Sequence, residues 1–419
     1  MIQSAGSSPV ADYSQKSIVI SRLPKPKVPA SAYVVLAAAF LILFMGGGAR
    51  FAIGLTLRPM VDELGWDRSQ IGMAVAVFQA ISATTMYMAG TLADRISLRW
   101  IIGGGLVVSG VSIGLMSMVT APWHTVVVYG IFFALGNGAA SIAPVAVMVT
   151  RAFPARTGLA NAAASSGMTV GQLVIIAVLA AALVTIGWRS VFVWLGVAYL
   201  FVLPLVLAAI PRATDGKVRA DKRPPGGLSV TMAARTRQFW LLLLVYAVCG
   251  FGDFFVTTHV VAFAQDRGIS ALLAGNLLAL MGLTGLLGVL LAGYWSDRAG
   301  PVWPTALCFA ARAGAFALVM FDQSPLSVAI FALVFGMTFL ITAPLTVIFV
   351  RDSFGTRNLG ALTGLITMVH HVCGGIGAYI GARIFDATNG YHIAFMIMFV
   401  TSVIALLLTL SIRRPQEIV

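Results

Sequence analysis

Ionisable side chains are scarce inside the long apolar runs of this sequence, so each one is informative. Arg50, Asp253, Arg312 and the adjacent pair His370 and His371 stand there. A charge at the centre of a bilayer costs about 2.5 to 3.5 kcal/mol on insertion scales, so each needs a partner or a purpose. Arg50 follows the run Gly46-Gly47-Gly48, which weakens a helix and lets its backbone line a cavity. It is there either as an anion-binding cation or as a side chain that snorkels to the interface. Asp253, Arg312, His370 and His371 fall at similar depth if their runs are helices rising about 1.5 Å per residue. A shared network follows: Asp253 with His371 as candidates for proton coupling, His370 and Arg312 as candidate substrate ligands. The plain alternative is a static Asp253 to Arg312 bridge that only fixes helix packing. Adjacent residues on a helix point about 100° apart, so one histidine of the pair faces a pathway and the other does not.

Three neutral amides extend this set. Gln79, Asn137 and Gln172 sit within apolar runs, where they either orient a small polar substrate or form interhelical hydrogen bonds. His259 lies nearer the end of its run and reads as interfacial. Gly167 with Gly171, and Gly377 with Gly381, have the spacing that lets two helix backbones approach. No nucleophile stands beside a base, and there is no phosphate-binding glycine loop and no metal-ligand spacing. Cys249, Cys308 and Cys373 lie singly in apolar runs. No enzyme activity, cofactor or metal is expected, and ATP-driven transport is disfavoured.

The elements that position these groups follow from composition. Of the 419 residues 59% are hydrophobic and only 10% charged, against about a quarter charged in soluble domains. This is an integral membrane protein. The net charge of +13 is spread over short segments between apolar runs and forms no solvated basic face, which excludes nucleic acid as a partner. The remaining partners are membrane lipid and a small-molecule substrate, and the chain is expected to be a monomer. At about 20 apolar residues per span, the sequence parses into twelve helices: 32 to 57, 70 to 92, 100 to 120, 124 to 149, 157 to 184 and 189 to 210, then 239 to 263, 271 to 294, 302 to 321, 325 to 349, 358 to 384 and 391 to 412. The expected fold is all-α, with a disordered tail at 1–31, a bundle of six helices at 32–210, a linker at 211–238, a second bundle at 239–412 and a tail at 413–419. Most of the 27 Lys and Arg residues then fall on one side, leaving Arg58, Arg68, Arg189, Arg267 and Arg383 on the other. By the positive-inside rule, both termini and the linker face the cytoplasm, across an inner membrane.

The two halves repeat each other. Gly90-Thr-Leu-Ala-Asp94-Arg95 recurs as Gly293-Tyr-Trp-Ser-Asp297-Arg298. Gly136, Ala143, Pro144 and Arg151 recur as Gly336, Ala343, Pro344 and Arg351, and Gly187-Trp188 as Gly390-Tyr391. Such parallel repeats are one way transporters are built. Asp94 is placed to meet the start of the eleventh helix near Asn358, where free N–H groups favour a carboxylate. Arg95 and Arg99 add charge-assisted bonds to this gate, and Asp297 with Arg298 form its second copy.

On these motifs the sequence resembles the major facilitator superfamily. The match to its loop pattern G-x-L-A-D-R-x-G-R-R is carried by Gly90, Leu92, Ala93, Asp94, Arg95 and Arg99. A finer likeness, to the monocarboxylate-porter and oxalate/formate-antiporter-like branch, rests on Arg58-Pro-Met-Val-Asp-Glu-Leu-Gly-Trp66-Asp-Arg68-Ser69, on His259 followed by Asp266-Arg267-Gly268, and on Gly187-Trp188-Arg189. The resemblance implies a secondary transporter working by alternating access, carrying a small organic anion, a monocarboxylate, with a proton or in exchange. Efflux of lipophilic drugs and a non-transporting receptor or scaffold with the same fold are the alternatives.

Overall fold

The computed structural model describes residues 29–93, 96–153, 157–210, 226–355 and 357–412. Its regular elements are helices, with one isolated bridge between Gly227 and Gly355. The first expected span is two helices, α1 (Ala30–Ala49) and α2 (Ala52–Leu64). The break falls at Arg50 and Phe51, directly after the three glycines, whose missing side chains leave the backbone weakly committed to a helix. Then come α3 (Arg68–Leu92) and α4 (Leu98–Leu115). The fourth span is composite: α5 (Pro122–Thr125), a π-helical stretch (Val126–Phe133), α6 (Ala134–Ala139) and α7 (Ile142–Ala152).

The fifth and sixth expected spans run together as α8 (Thr157–Ala209), interrupted at Gly187, whose φ of 74° and ψ of 167° are not helical. Only glycine takes this region without strain. The second half of the chain holds α9 (Val230–Ala233), α10 (Arg237–Asp266), α11 (Ala271–Ala299), α12 (Val302–Phe321), α13 (Pro325–Phe339), α14 (Thr342–Phe354), α15 (Leu359–Thr388) and α16 (His392–Leu410). Both copies of the repeated Ala-Pro pair do the same thing locally. A helix stops a few residues before Pro144 and another before Pro344, where the ring removes a donor and crowds the preceding turn. Among the described residues, ten helices are long and apolar enough to cross a membrane, or eleven when the bent pair Pro325–Phe339 and Pro344–Phe354 is one span.

Packing follows the small residues. Gly167 and Gly171 put α8 directly on the α1 carbonyls of Phe40 and Phe44, and Gly377 puts α15 on the Phe251 carbonyl of α10. Gly167, Gly171 and Gly377 thus bring helix backbones together as their spacing suggested, whereas Gly381 faces the Phe255 ring. Gly196 packs the later part of α8 on α4 at Gly110 and Gly114, and α12 lies along α16. Between the sequence halves, α3 packs on α15, α2 on α10, and the first part of α8 on α11. This seam is tight: a side chain at Gly54 would meet the Thr257 carbonyl, one at Gly72 would meet Ala382, and one at Gly275 would meet Ala180.

Candidate functional site

The α1/α2 break sets Arg50 on the seam. Its backbone carbonyl is taken by the Tyr129 hydroxyl, which donates to it at 2.8 Å. Tyr129 rides on the π-helical stretch, a local irregularity that often marks functional positions. The Arg50 guanidinium lies 4.5 Å from the centre of the Phe51 ring. Its Nε is buried and has no hydrogen-bond partner. Arg50 lines a cavity of about 20 Å³ with Phe51, Ile53, Val75, Phe78, Gln79 and Tyr129 from the first half of the chain. Phe254, Thr257 and Thr258 of α10 close it from the second half. A space of that size holds roughly one water. Arg50 thus faces inward between the halves and does not snorkel to an interface.

A second cluster lies beside this cavity, wholly in the second half. Arg312 and Asp253, each 2% exposed, are paired at 2.7 Å between Nη2 and Oδ1, off the line that would make this contact a hydrogen bond. Arg312 is otherwise saturated. Its Nε donates to Thr338 Oγ1 at 3.1 Å, Nη2 donates to the Thr338 carbonyl at 3.0 Å, and Nη1 donates to Cys249 Sγ at 3.4 Å. The Cys249 thiol donates to Asp253 Oδ2 at 3.4 Å, and His370 Nε2 stands 3.7 Å from the same oxygen. Cys249, Asp253 and His370 each offer a ligand atom, all within 4.8 Å of one another. The guanidinium already supplies the positive charge this group needs, so the set is a closed polar network.

The structure therefore brings together Arg50 with Gln79 at the cavity, and Asp253 with Arg312 and His370 beside it. His371 joins the two groups across the seam, its Nδ1 lying 3.4 Å from Gln79 Oε1. Asn137 stands apart, its amide nitrogen against Gly46 of α1. Gln172 makes the interhelical bond weighed above, donating from Nε2 to the Leu278 carbonyl at 3.1 Å and tying α8 to α11. Asp94 and Arg95 lie outside the described residues, as does the side chain of Asp297. Arg99 is half-buried at the start of α4, and Arg298 is exposed, stacked 3.5 Å over the Tyr294 ring. His259 is not interfacial. It is 1% exposed, because α15 and Tyr391 cover it. Tyr129, Thr257 and Thr258 were not singled out from sequence, since a hydroxyl in an apolar run carries no signal of where it points.

A polytopic helical protein with an unpaired cation on the seam between its halves has the architecture of a membrane transporter. The sequence model of the Major Facilitator Superfamily matches residues 39–377 and 242–418, and the chain belongs to that family. It is 26% identical over 401 residues to the MFS-type transporter YcxA of Bacillus subtilis, covering 93% of this chain and 98% of that one. It is also 26% identical over 392 residues to human monocarboxylate transporter 11, covering 89% and 82%. This agrees with the monocarboxylate-porter-like branch expected from the motifs. A crystal structure of a variant of the nucleoside transporter NupG superposes with a TM-score of 0.76 at 13% identity, covering 92% of this chain and 100% of that one. At that identity the likeness speaks for the fold.

Proposed function

We propose that this protein is a secondary transporter that moves a small organic anion, a monocarboxylate, by alternating access, with a proton or in exchange. The observation that carries the reading is the buried Arg50 Nε with no partner, at a cavity walled by both halves of the chain. A desolvated guanidinium is costly unless an anion pairs with it, and a carboxylate fits its fork with two bonds. The similarity to a monocarboxylate transporter supports the same substrate class. Proton coupling is assigned to Asp253, whose Oδ2 faces His370, with His371 linking that group to the cavity through Gln79.

The reading takes twelve membrane-crossing helices in two bundles of six, at 32–210 and 239–412. Ten long helices and one bent pair make eleven. The 51-residue stretch Leu159–Ala209, straight at about 1.5 Å per residue, would be more than twice the ~30 Å apolar thickness of a bilayer. Its interruption at Gly187 makes it two, which gives twelve. The packing of α1 on α8 has its counterpart in α10 on α15, and that of α4 on α8 in α12 on α16, as a repeat requires. Both termini and the linker are assigned to the cytoplasmic face of the inner membrane by the distribution of basic residues, and the transporter is taken to act as a monomer.

The test is uptake of labelled monocarboxylates into proteoliposomes, with and without a proton gradient. Accumulation driven by the gradient, or counterflow, is expected. Absence of counterflow across a broad carboxylate panel would overturn the anion reading. Efflux of lipophilic compounds is the second reading, favoured by the Phe51, Phe78 and Phe254 rings around the cavity. Drug-resistance profiling of an overexpressing strain separates it from the first.

A further inference from the structure

The end of the molecule that carries Arg68 is held shut by a set of bonds that cross between the sequence halves. Helices α3 and α15 run antiparallel in contact, Gly72 against Ala382 and Ala76 against Gly375. At the start of α3, the N–H groups of Arg68 and Ser69 have no earlier turn to donate to. The carboxylate of Asp386, near the end of α15, takes both: Arg68 N donates to Oδ1 at 3.0 Å and Ser69 N to Oδ2 at 2.9 Å. A carboxylate there meets the positive end of the α3 dipole, and both bonds are charge-assisted.

The Arg68 side chain, 7% exposed, reaches into the same half. Nη2 donates to Asp266 Oδ1 at 2.8 Å, Nη1 lies 2.8 Å from Asp266 Oδ2, and Nη1 donates to the Tyr391 hydroxyl at 2.7 Å. The guanidinium carbon sits 3.6 Å from the centre of the Phe385 ring. Having accepted from Arg68, Tyr391 has its own proton left for His259 Nδ1 at 3.1 Å. His259 Nε2, 2.8 Å from the Ala378 carbonyl, is then the nitrogen that carries hydrogen, because a carbonyl only accepts. Donors therefore run in one direction, from α3 through Tyr391 and His259 to the backbone of α15. Between this cluster and the Arg50 cavity the seam is closed: every residue from Phe51 to Leu57 and from Gly252 to Ala264 is buried.

We propose that Arg68 and Asp386 form a latch that keeps this end closed and must release before the Arg50 cavity opens toward that side. What the latch gates rests on the transporter reading above. The latch itself is a conformational property that can be measured without knowing the substrate.

The experiment places spin labels at Thr120→Cys and Phe321→Cys, exposed positions at that end in the first and second halves, in a Cys373→Ser background. Cys249 and Cys308 are buried. Pulsed electron paramagnetic resonance on the purified full chain reads the distance between them. The unmodified latch should give one short distance. Arg68→Ala and Asp386→Asn should each add a longer population, raising the open fraction about tenfold or more, the factor corresponding to loss of one charge-assisted bond. Where either variant fails to elute as a single folded species, Tyr391→Phe, which deletes one hydroxyl, carries the test with a smaller shift in the same direction. Distance distributions identical to the parent in the folded variants would overturn the latch. A label shift without anion uptake in the parent protein would break the transport reading alone. Normal uptake with no shift would break the latch alone.

Discussion

Arg50, half-buried with its Nε out of solvent, and Arg312, fully buried, are the two arginines of the membrane-embedded interior, yet their surroundings are opposite. Arg312 spends all three nitrogens on its own half of the chain, on Thr338, Cys249 and Asp253. Arg50 has a ring beside it and an Nε with nothing to donate to. A saturated buried cation holds helices in place, and removing its counter-charge leaves a desolvated charge behind. An unsaturated one at the boundary of two halves contributes little to the resting fold and is free to pair with the anion proposed above. Arg68 makes the third case: saturated like Arg312, but by groups from the opposite half. Such bonds hold only one arrangement of the two halves.

The largest expected effect therefore falls on the Asp253 to Arg312 pair. Asp253→Ala should destabilise by about 3–5 kcal/mol, as breaking a buried pair does, because Arg312 keeps its charge with no carboxylate. A thermal unfolding series in detergent checks this, and Asp253→Ala combined with Arg312→Met should recover most of the loss. Full stability of Asp253→Ala alone would mean the pair is not the structural tie that its burial suggests. The same variant sharpens the coupling assignment. If the double variant folds and a proton gradient still drives anion accumulation, Asp253 is not the coupling group.

Arg50→Ala is the converse experiment. Its side chain has no ion pair or hydrogen bond to lose, so unfolding should move by less than about 1 kcal/mol, the range of ordinary substitutions away from such features. Anion transport should fall at least tenfold in kcat/KM, since one charge-assisted pair is worth about 1.5–3 kcal/mol. Arg50→Lys should recover part of it, because a point charge replaces a fork. Parent transport rates in Arg50→Ala would erase the contrast between the two arginines.

How much of this was legible beforehand depends on what sets each feature. The interruption at Gly187 is a local backbone event that the sequence displayed, whereas the breaks before Pro144 and Pro344 fall inside spans read as continuous helices, 124 to 149 and 325 to 349. The charges in apolar runs were legible too, since a bilayer makes them rare. Which of them pair was only partly so. Depth along the helices suggested Asp253 with Arg312 correctly, but rotation about a helix axis decides which residues face each other. That is why Thr257, Thr258 and Tyr129 were invisible, and why Gln172 turned to the Leu278 carbonyl. The physics of a carboxylate on a helix start was sought at Asp94, which lies outside the described residues. Asp386 displays it at the opposite end of the same helix pair. Its partner lies more than three hundred residues away in sequence, and only the packed register of α3 on α15 reveals it.

The smallest effect tests how Arg50 is held. The carbonyl of Arg50 sits where α1 has ended and α2 has begun, and the Tyr129 hydroxyl is its donor. Tyr129→Phe keeps the ring stacked on Phe78 at 4.8 Å between centres and removes only that donor. The break then loses one neutral hydrogen bond, worth about 1 kcal/mol net. If the hydroxyl merely stabilises the fold, the loss appears as a lower melting temperature with transport unchanged. If it positions the guanidinium, KM for the anion should rise roughly fivefold, the factor about 1 kcal/mol produces, while kcat stays near the parent value. A change in kcat with KM untouched would place Tyr129 in the moving parts of the α1/α2 break and leave the orientation of Arg50 to Phe51.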